Sequence, residues 1–192
     1  MVELTAEEHV GAELLSIRLL TPARGEARAQ AALEAAALEA RRVGALLRAE
    51  QSPELDAAAA GARRAGAVLD RAELGLGYAM DRASFQLAEA GMTDFLLDGA
   101  GGRVVSVRGA RDGGGGGWSV AVRGPSGVAG TARLSDRSLA STADGSRSVL
   151  GPSAATALAL LQADGDVDSI RLTAAGIEAT AGFARIFEPL AR

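Results

Sequence analysis

The sequence contains no cysteine, no lysine and no asparagine, and His9 is its only histidine. Without cysteine the chain forms no disulfide, no thiolate zinc site and no thiol nucleophile. Without lysine it has neither a Schiff-base amine nor a Walker-type phosphate loop, and without asparagine it has no N-glycosylation site. A single histidine excludes a zinc site built on several histidines, and we expect no catalysis from His9 because Glu7 and Glu8 place it in an acidic surface segment.

Aromatic residues are scarce at 3% of the chain, and 20 basic residues stand against 24 acidic ones, for a net charge of −4. Binding to nucleic acid requires a basic surface and aromatic rings for base stacking, so we expect no nucleic-acid partner. No apolar run approaches the roughly 20 residues of a membrane helix, so we expect no membrane span. The first residues carry acids where a signal peptide carries basic residues, which predicts a cytoplasmic protein.

The chain has 192 residues, of which 48% are hydrophobic, enough for one soluble domain with a core. Residues 1–65 are predicted to form a helical N-terminal region. Thr5 and Glu8 match a capping box and predict a short helix, which leads into a candidate strand at Leu14–Thr21. A long amphipathic helix is predicted from Pro22 to Ala49. A second helix is predicted to begin at Ser52-Pro53.

Residues 66–192 are predicted to be rich in β-structure, because short apolar or alternating runs are separated by glycine. The predicted strands are Ala67–Asp70, Asp94–Asp98, Arg103–Gly109, Trp118–Gly124, Ala132–Asp136, Arg137–Ser141, Asp168–Leu172 and Gly176–Ala181. Helices are predicted from Gly75 to Glu89, with Leu76, Met80, Ala83 and Leu87 facing inward, and from Gly151 to Gln162. Asp112–Gly117 is predicted to be a hairpin tip, and the last residues a helical turn. The fold class is α+β: a single domain, 1–192, with the long N-terminal helix packed on a mainly antiparallel sheet.

Glycine and acidic clusters offer candidate ligand sites, each with a simpler alternative. Gly99–Gly102 suits a phosphate-binding loop, but a strand follows it instead of a helix, so a tight β-turn is the stronger interpretation. Asp164, Asp166 and Asp168 resemble a calcium loop without its glycine and glutamate, and a solvated turn explains them as well. Asp81 is expected to form a surface ion pair with the neighbouring Arg82.

Hydroxyl groups at the ends of elements are the second set of candidates. Ser141, Thr142 and Asp144 lie where a strand ends, a position suited either to a ligand or to an Asx turn. Thr156 lies in the first turns of a helix, where the helix dipole favours an anion or a metal-bound phosphate. The alternative for Thr156 is a hydroxyl bonded to a backbone carbonyl. Asp81, Asp144 and Thr156 could also serve metal-assisted nucleotide hydrolysis, although their spacing does not favour it.

The order of these segments resembles that of the FAD:protein FMN transferase (ApbE) family. Gly75–Ala83 is similar to the family's K-G-Y-A-x-D segment. The segments that follow resemble, in the family's order, its strand–Gly-Gly–strand at Ala90–Gly109, its W-x-V-x-I-x-x-P strand at Gly117–Pro125, its A-T-S-G-D at Ser138–Asp144, its A-D-A-L-A-T-A-L helix at Gly151–Leu161 and its closing segment at Ala179–Phe183. The resemblance covers about Ala67–Phe187 and implies an ApbE-like scaffold related to the T-fold.

The resemblance implies a protein that binds FAD in a cleft, with Mg²⁺ on the diphosphate. In such a protein the hydroxyl of a Thr or Ser on a target protein attacks phosphorus, AMP leaves, and FMN becomes linked as a phosphoester. The family's flavin-binding positions fall on Gly77, Tyr78, Asp81, Gly101, Gly102, Ser141, Thr142 and Asp144. Its metal-binding threonine falls on Thr156.

The departures from the family pattern concern the groups that carry its chemistry. Leu76 replaces the lysine, Ala143 replaces a glycine, and Pro152 replaces the metal-binding aspartate. The family's histidine-bearing segment would fall within 145–151, which contains no histidine. No catalytic residue is therefore assigned. The resemblance implies a short, degenerate family member: a flavin-binding or transferase-like protein with impaired or lost Mg²⁺-dependent FMN transfer.

The alternative function is a non-catalytic accessory protein that uses the long N-terminal helix for docking or dimerisation. It would require an apolar patch on Leu33, Ala37, Ala40 and Leu47 that the sheet leaves uncovered. The expected partners are therefore a flavin nucleotide, a target protein or a second copy of the chain.

Overall fold

A computed structural model of the protein describes residues 1–64, 69–109, 117–163, 167–173 and 176–190. The strands within these ranges are β1 (Val2–Val10), β2 (Glu13–Thr21), β3 (Phe95–Gly99), β4 (Val104–Arg108), β5 (Trp118–Gly124), β6 (Gly127–Leu134), β7 (Arg137–Ser141), β8 (Arg147–Gly151), β9 (Ser169–Thr173), β10 (Gly176–Ala179) and β11 (Phe187–Pro189). The helices are α1 (Glu26–Arg48), α2 (Pro53–Arg64), α3 (Arg71–Glu89), α4 (Ala154–Gln162) and α5 (Ala181–Ala184), and a 3₁₀ turn at Ala23–Gly25 precedes α1.

The strands form two sheets in which every described pair is antiparallel. The large sheet has eight strands in the order β1-β2-β3-β4-β7-β8-β9-β10. The small sheet has three, in the order β11-β6-β5. The predicted α+β class with a mainly antiparallel sheet is confirmed.

The large sheet separates two hydrophobic clusters. On one face, α1, α3 and α4 cover side chains such as Leu15, Ile17 and Leu97. On the other face, the small sheet covers side chains such as Leu139 and Ile170, with Trp118 buried between the sheets. Antiparallel strands with alternating apolar residues expose one apolar row to each face, so both faces need a covering layer.

Helix α1 lies on the sheet because its small and apolar residues recur at helical spacing. Ala29, Leu33, Ala36 and Ala40 are fully or almost fully buried against the sheet and α3. Close contact requires a glycine at one point: a Cβ at Gly44 would lie 2.8 Å from a backbone oxygen of β1. The predicted long helix packed on the sheet is confirmed.

The short helix predicted from Thr5 is wrong, because residues 2–10 form strand β1. Glu3, Thr5 and Glu7 point outward while Leu4 lies against the core, and this period of two overrides the capping signal. β1 pairs with β2 along its whole length, from Val2 opposite Thr21 to Val10 opposite Glu13. The region 1–65, predicted to be helical, therefore begins with a β-hairpin that belongs to the large sheet.

Other expectations differ at the element ends. Residues 145–151 contain β8, which no sequence signal predicted and which pairs with both β7 and β9. The last residues form α5 and then β11 at the edge of the small sheet, where a helical turn alone was expected. Two expectations lie partly outside the described residues: most of the hairpin tip (112–116) and the start of the strand expected at Ala67–Asp70 (residues 67 and 68). At the end of that expected strand, Asp70 is instead the N-cap of α3.

Within the described ranges, none of the helices combines the length and the apolar character needed to cross a membrane.

Candidate functional site

The predicted site residues fall in two places. Gly77, Tyr78, Asp81 and Thr156 lie where α3 meets α4, a region that we call the helix junction. The remaining five lie elsewhere. Gly101 and Gly102 belong to the β3–β4 turn, Ser141 ends β7, and Thr142 and Asp144 lie in the turn that follows β7. No described residue lines both the cavity at the helix junction and the cleft between the turns.

Helix α3 presents the junction residues because its opposite side is anchored in the core. The Asp70 carboxylate caps the helix by accepting the Glu73 N–H at 2.7 Å. The predicted inward face is confirmed: Leu76, Met80, Ala83 and Leu87 are fully buried. With that side fixed, the neighbouring positions face α4 and α2.

Gly77 permits close packing of α3 on α4. A Cβ at this position would lie 2.8 Å from the Cα of Ala155 and 3.0 Å from a methyl group of Leu158. These distances are shorter than ordinary van der Waals contacts. The space beside Gly77 is thus filled by α4, and the predicted role of this glycine in cofactor binding has no open surface there.

Asp81 joins α3 to the N-terminus of α4. Its carboxylate accepts the Ser153 hydroxyl at 2.8 Å and the N–H groups of Ala154 and Ala155 at 2.8 and 3.3 Å. Burial raises the pKa of Asp81, and the three donors oppose that shift. The expected surface ion pair with Arg82 is wrong: the Arg82 guanidinium turns to Glu39 on α1 at 2.8 Å. The reason is that successive helical residues point in different directions.

Thr156 lies in the first turn of α4, beside Asp81. Its N–H donates to the Oγ of Ser153, the N-cap residue, at 3.3 Å, and its own Oγ1 lies 3.1 Å from that hydroxyl. It borders a cavity of about 310 Å³ whose other lining is almost wholly apolar, from Ala58, Gly61, Ala62, Leu69, Leu74, Ala155 and Ala159, with Tyr78 at one side. The hydroxyl therefore meets Ser153 instead of a backbone carbonyl.

The helix junction does not fit a metal ion. Mg²⁺ prefers several oxygen ligands, usually with at least one carboxylate. Thr156 offers one hydroxyl, and the Asp81 carboxylate beside it is already engaged by three donors. Pro152, where the resemblance places the metal-binding acid, is exposed and has no ligand atom in its side chain. Across the described ranges of the chain, no three His, Asp or Glu side chains lie together as a metal site would need.

Tyr78 belongs to a charged network that ties three helices together. Its hydroxyl donates to the Glu54 carboxylate on α2 at 2.6 Å. Arg42 on α1 donates to Glu54 at 2.6 and 2.7 Å, and also to Glu39. The Arg42 guanidinium, followed by the Tyr78 hydroxyl, lowers the pKa of Glu54 to about 2, and burial together with Glu54 raises the pKa of Tyr78.

The glycines between β3 and β4 form a tight turn. This was the stronger of the two interpretations of Gly99–Gly102, the other being a phosphate-binding loop. Three successive residues, Ala100, Gly101 and Gly102, have positive φ angles of 54°, 64° and 87°. The Gly102 N–H donates to Asp98 at 2.6 Å, which closes the turn. Above Gly101 the space is open, because a Cβ there would meet nothing within 4 Å. A ligand can thus approach the backbone at this turn.

The strand-end hydroxyls serve mainly the β7–β8 connection. Ser141 is buried, and its Oγ lies 2.8 Å from that of Ser148 on β8. Asp144 accepts the Thr142 hydroxyl at 2.6 Å and the N–H and hydroxyl of Ser146 at 3.0 and 2.8 Å. The Thr142 hydroxyl, followed by Ser146, lowers the pKa of Asp144 to about 2. This is the Asx-type turn given above as the alternative, and it leaves Asp144 exposed and ionised.

The two turns nevertheless face each other across a cleft of about 360 Å³. Its lining residues are Ala100, Gly101, Arg103, Arg123, Gly124, Pro125, Gly127, Thr142, Ala143, Asp144 and Gly145. Sequence reasoning missed Arg103 and Arg123. The only signal for Arg103 was its place directly after the glycine pair, and Arg123 had none beyond its place near the end of a strand.

The remaining candidates do not form sites within the described residues. His9 is exposed on β1. Asp164 and Asp166 lie outside the described ranges. Asp168 accepts the Thr180 hydroxyl at 3.3 Å and pairs with Arg137 at 3.6 Å, so it links β9 to its neighbours.

The two sheets and their helical layer define a mixed α+β protein, and comparison with known proteins places it in a family. The model of the ApbE family matches residues 18–159. The chain therefore belongs to the ApbE family, and the resemblance noted from its motifs is confirmed. No curated protein matches the sequence significantly.

Solved structures with the same fold carry ApbE names. The ApbE protein from Thermotoga maritima superposes with a TM-score of 0.65 at 14% identity, covering 97% of this chain and 100% of that one. The flavin transferase ApbE from Vibrio cholerae gives a TM-score of 0.56 at 12% identity, covering 96% and 99%. Pseudomonas stutzeri flavinyl transferase ApbE gives 0.55 at 11% identity, covering 97% of each chain. At these identities the similarity establishes the fold and not the activity.

Proposed function

We propose that this protein is a flavin-transferase-like member of the ApbE family that binds a flavin nucleotide and has lost most Mg²⁺-dependent FMN transfer to Thr or Ser of a target protein. One observation carries the loss of transfer: at the helix junction the Asp81 carboxylate caps α4, so the one acid beside Thr156 is already engaged by three donors. A transferase that relies on a metal to stabilise charge at phosphorus would lose that stabilisation.

Two features support retention of flavin binding. The relatives of known structure are named as flavin transferases. In addition, Gly101, Thr142 and Asp144, which the family resemblance assigns as flavin contacts, line the same cleft although they come from turns about 40 residues apart in the sequence. The remaining candidates at the helix junction, and the cytoplasmic location, stay predictions.

The alternative of a docking protein receives no support from α1. The patch that it required is covered: Leu33, Ala37 and Ala40 are buried by the sheet and α3, and Leu47 is half-buried against the same core. A target protein as partner therefore rests on the family resemblance alone, and a second copy of the chain as partner has no support from α1.

The experiment that tests the proposal has two stages. The purified protein is first titrated with FAD, and flavin fluorescence and the melting temperature are followed; we expect quenching and a higher melting temperature. FAD, Mg²⁺ and a threonine-containing acceptor peptide are then added, and AMP release and the peptide mass are measured; we expect little or no transfer.

The Thr156→Val variant is the matched control for the second stage, since it removes one hydroxyl and keeps the side-chain volume. Wild type and variant should show the same residual AMP release if Thr156 binds no metal. Absence of any FAD effect in the first stage would overturn flavin binding. Efficient AMP release that disappears in Thr156→Val would overturn the loss of transfer.

A further inference from the structure

The cleft between the two turns, which we call the arginine cleft, contains two incompletely paired cations. Arg103 follows the β3–β4 turn, and only 25% of its side chain is exposed. Its Nε is buried without a hydrogen-bond partner, and in the described chain its one ion pair is a long contact of 3.8 Å with Glu73. Buried donors are usually satisfied, so this guanidinium is incompletely paired within the described protein.

Arg123 lies on the other side of the same turn. A Cβ at Gly102 would lie 3.4 Å from its Nε, so the guanidinium borders the turn backbone. Among the described residues it makes no hydrogen bond and no ion pair within 4 Å. Two arginine forks beside an open glycine turn suit a phosphate, because a phosphate accepts several charge-assisted hydrogen bonds at once.

Three acids near the cleft set where an anion can lie, and the first of them, Glu73, is the long ion-pair partner of Arg103. Asp98 accepts the Gly102 N–H; burial raises its pKa, and the Gly102 N–H and the nearby charges of Arg18 and Arg123 oppose that rise. Asp144 stays ionised on the opposite wall, held by Thr142 and Ser146. A bound phosphate would therefore lie on the side of Gly101 and the arginines, away from Asp144.

An apolar cleft of about 510 Å³ borders the same β5–β6 turn and shares Gly124, Pro125 and Gly127 with the arginine cleft. Large apolar side chains on its walls are half exposed: Val128 at 49%, Ile177 at 44% and Leu190 at 54%. Cavities of this size and character suit flat apolar ligands. Two clefts thus meet at the β5–β6 turn, one lined by the two arginines and Asp144 and the other by apolar side chains.

We propose that the arginine cleft binds the phosphate of a phosphorylated flavin without a metal ion, with Arg103 and Arg123 providing the positive charge and the adjoining apolar cleft holding the ring. The identity of the ring rests on the proposed function. The phosphate site itself rests on the two arginines and the open turn.

The test compares FAD, FMN, riboflavin and inorganic pyrophosphate as probes, each in Mg²⁺ and in excess EDTA, by flavin fluorescence or calorimetry. We expect FAD and FMN to bind equally well in both buffers. Arg123→Gln, an exposed position where folding is not at risk, should weaken FMN binding about 10-fold or more and leave riboflavin unchanged. Arg103→Gln should act in the same direction.

Arg24→Gln is the matched control, since it removes the same positive charge at a distant position. Arg24 follows the end of β2, whereas Gly99 and the β3–β4 turn lie beside the start of that strand. If FAD binds but requires Mg²⁺, or if Arg123→Gln behaves like Arg24→Gln, the arginine site is overturned and flavin binding stands. If FAD does not bind while pyrophosphate binds in an Arg123-dependent way, the proposed function falls and the phosphate site stands. If neither probe binds, both proposals fall.

Discussion

Replacing Gly77 by alanine tests whether this glycine serves helix packing. The added methyl group would lie 2.8 Å from the Cα of Ala155 and 3.0 Å from a methyl of Leu158. The first contact is with helix backbone, which cannot rotate away as a side chain can. α3 and α4 would have to separate by several tenths of an ångström.

Two opposing effects set the magnitude. Alanine favours a helix over glycine by about 0.8–1 kcal/mol. Overpacking a well-packed core costs about 1–3 kcal/mol. We therefore expect Gly77→Ala to lower the free energy of unfolding by about 0–2 kcal/mol, the difference between these two effects.

Gly61 provides a matched control on α2. It is also helical, but a Cβ there meets nothing within 4 Å. Gly61→Ala should therefore show the helix preference alone, a gain of about 0.5–1 kcal/mol.

Urea unfolding followed by the fluorescence of Trp118 measures both variants, because this single tryptophan is only 2% exposed in the folded state. If Gly77→Ala stabilises the protein as much as Gly61→Ala does, α4 does not constrain position 77 and the packing argument is refuted. The predicted role of Gly77 in cofactor binding would then be the remaining explanation for a glycine at this position, and flavin binding by the same variant would test it.

Three further predictions concern the polar contacts. Asp81→Ala leaves the Ser153 hydroxyl and two N–H groups of α4 without their acceptor, so we expect a loss of about 1–3 kcal/mol in urea unfolding; an unchanged midpoint would contradict the cap. Thr142→Val removes the strongest of the hydrogen bonds that lower the pKa of Asp144, so an NMR titration should show this pKa rise from about 2 towards 3.8. Tyr78→Phe should raise the pKa of Glu54 above about 2 and speed amide exchange in α2, because the hydroxyl helps hold that helix; unchanged exchange would show that Arg42 alone anchors it.

The pH dependence of the Asp144 turn follows from the sign of its shift. The pKa of Asp144 is lower in the folded protein than its ordinary value of 3.8, so the unfolded chain takes up a proton first as the pH falls. The stability from this turn is complete above about pH 4–5 and is lost between about 4 and 2. In Thr142→Val the loss attributable to Asp144 should be smaller; an acid unfolding curve with the same dependence as the wild type would contradict this assignment.

Elements with strong local patterns could be predicted from the sequence. The helices α1 and α3, the inward face of α3, and most of the strands follow from spacing or alternation over a few residues, because each turn or pleat repeats the same geometry. The order of short motifs likewise predicted the family, which the match over residues 18–159 confirms. The strand at residues 2–10 shows the limit, since a capping signal and an alternating pattern overlapped there and pairing with β2 decided between them.

The environment of each candidate residue depended on contacts between distant segments of the chain. Asp81 looked like a surface acid, but Ser153, 72 residues later, meets it and makes it a partly buried cap. Gly101 and Thr142 line one cleft because the β3–β4 and β7–β8 turns lie side by side in the large sheet, which also brings Arg103 beside them. Sequence alone therefore determined the local elements and the family, whereas tertiary structure decided burial, charge pairing and the shape of the cleft, because those depend on which distant segments pack together.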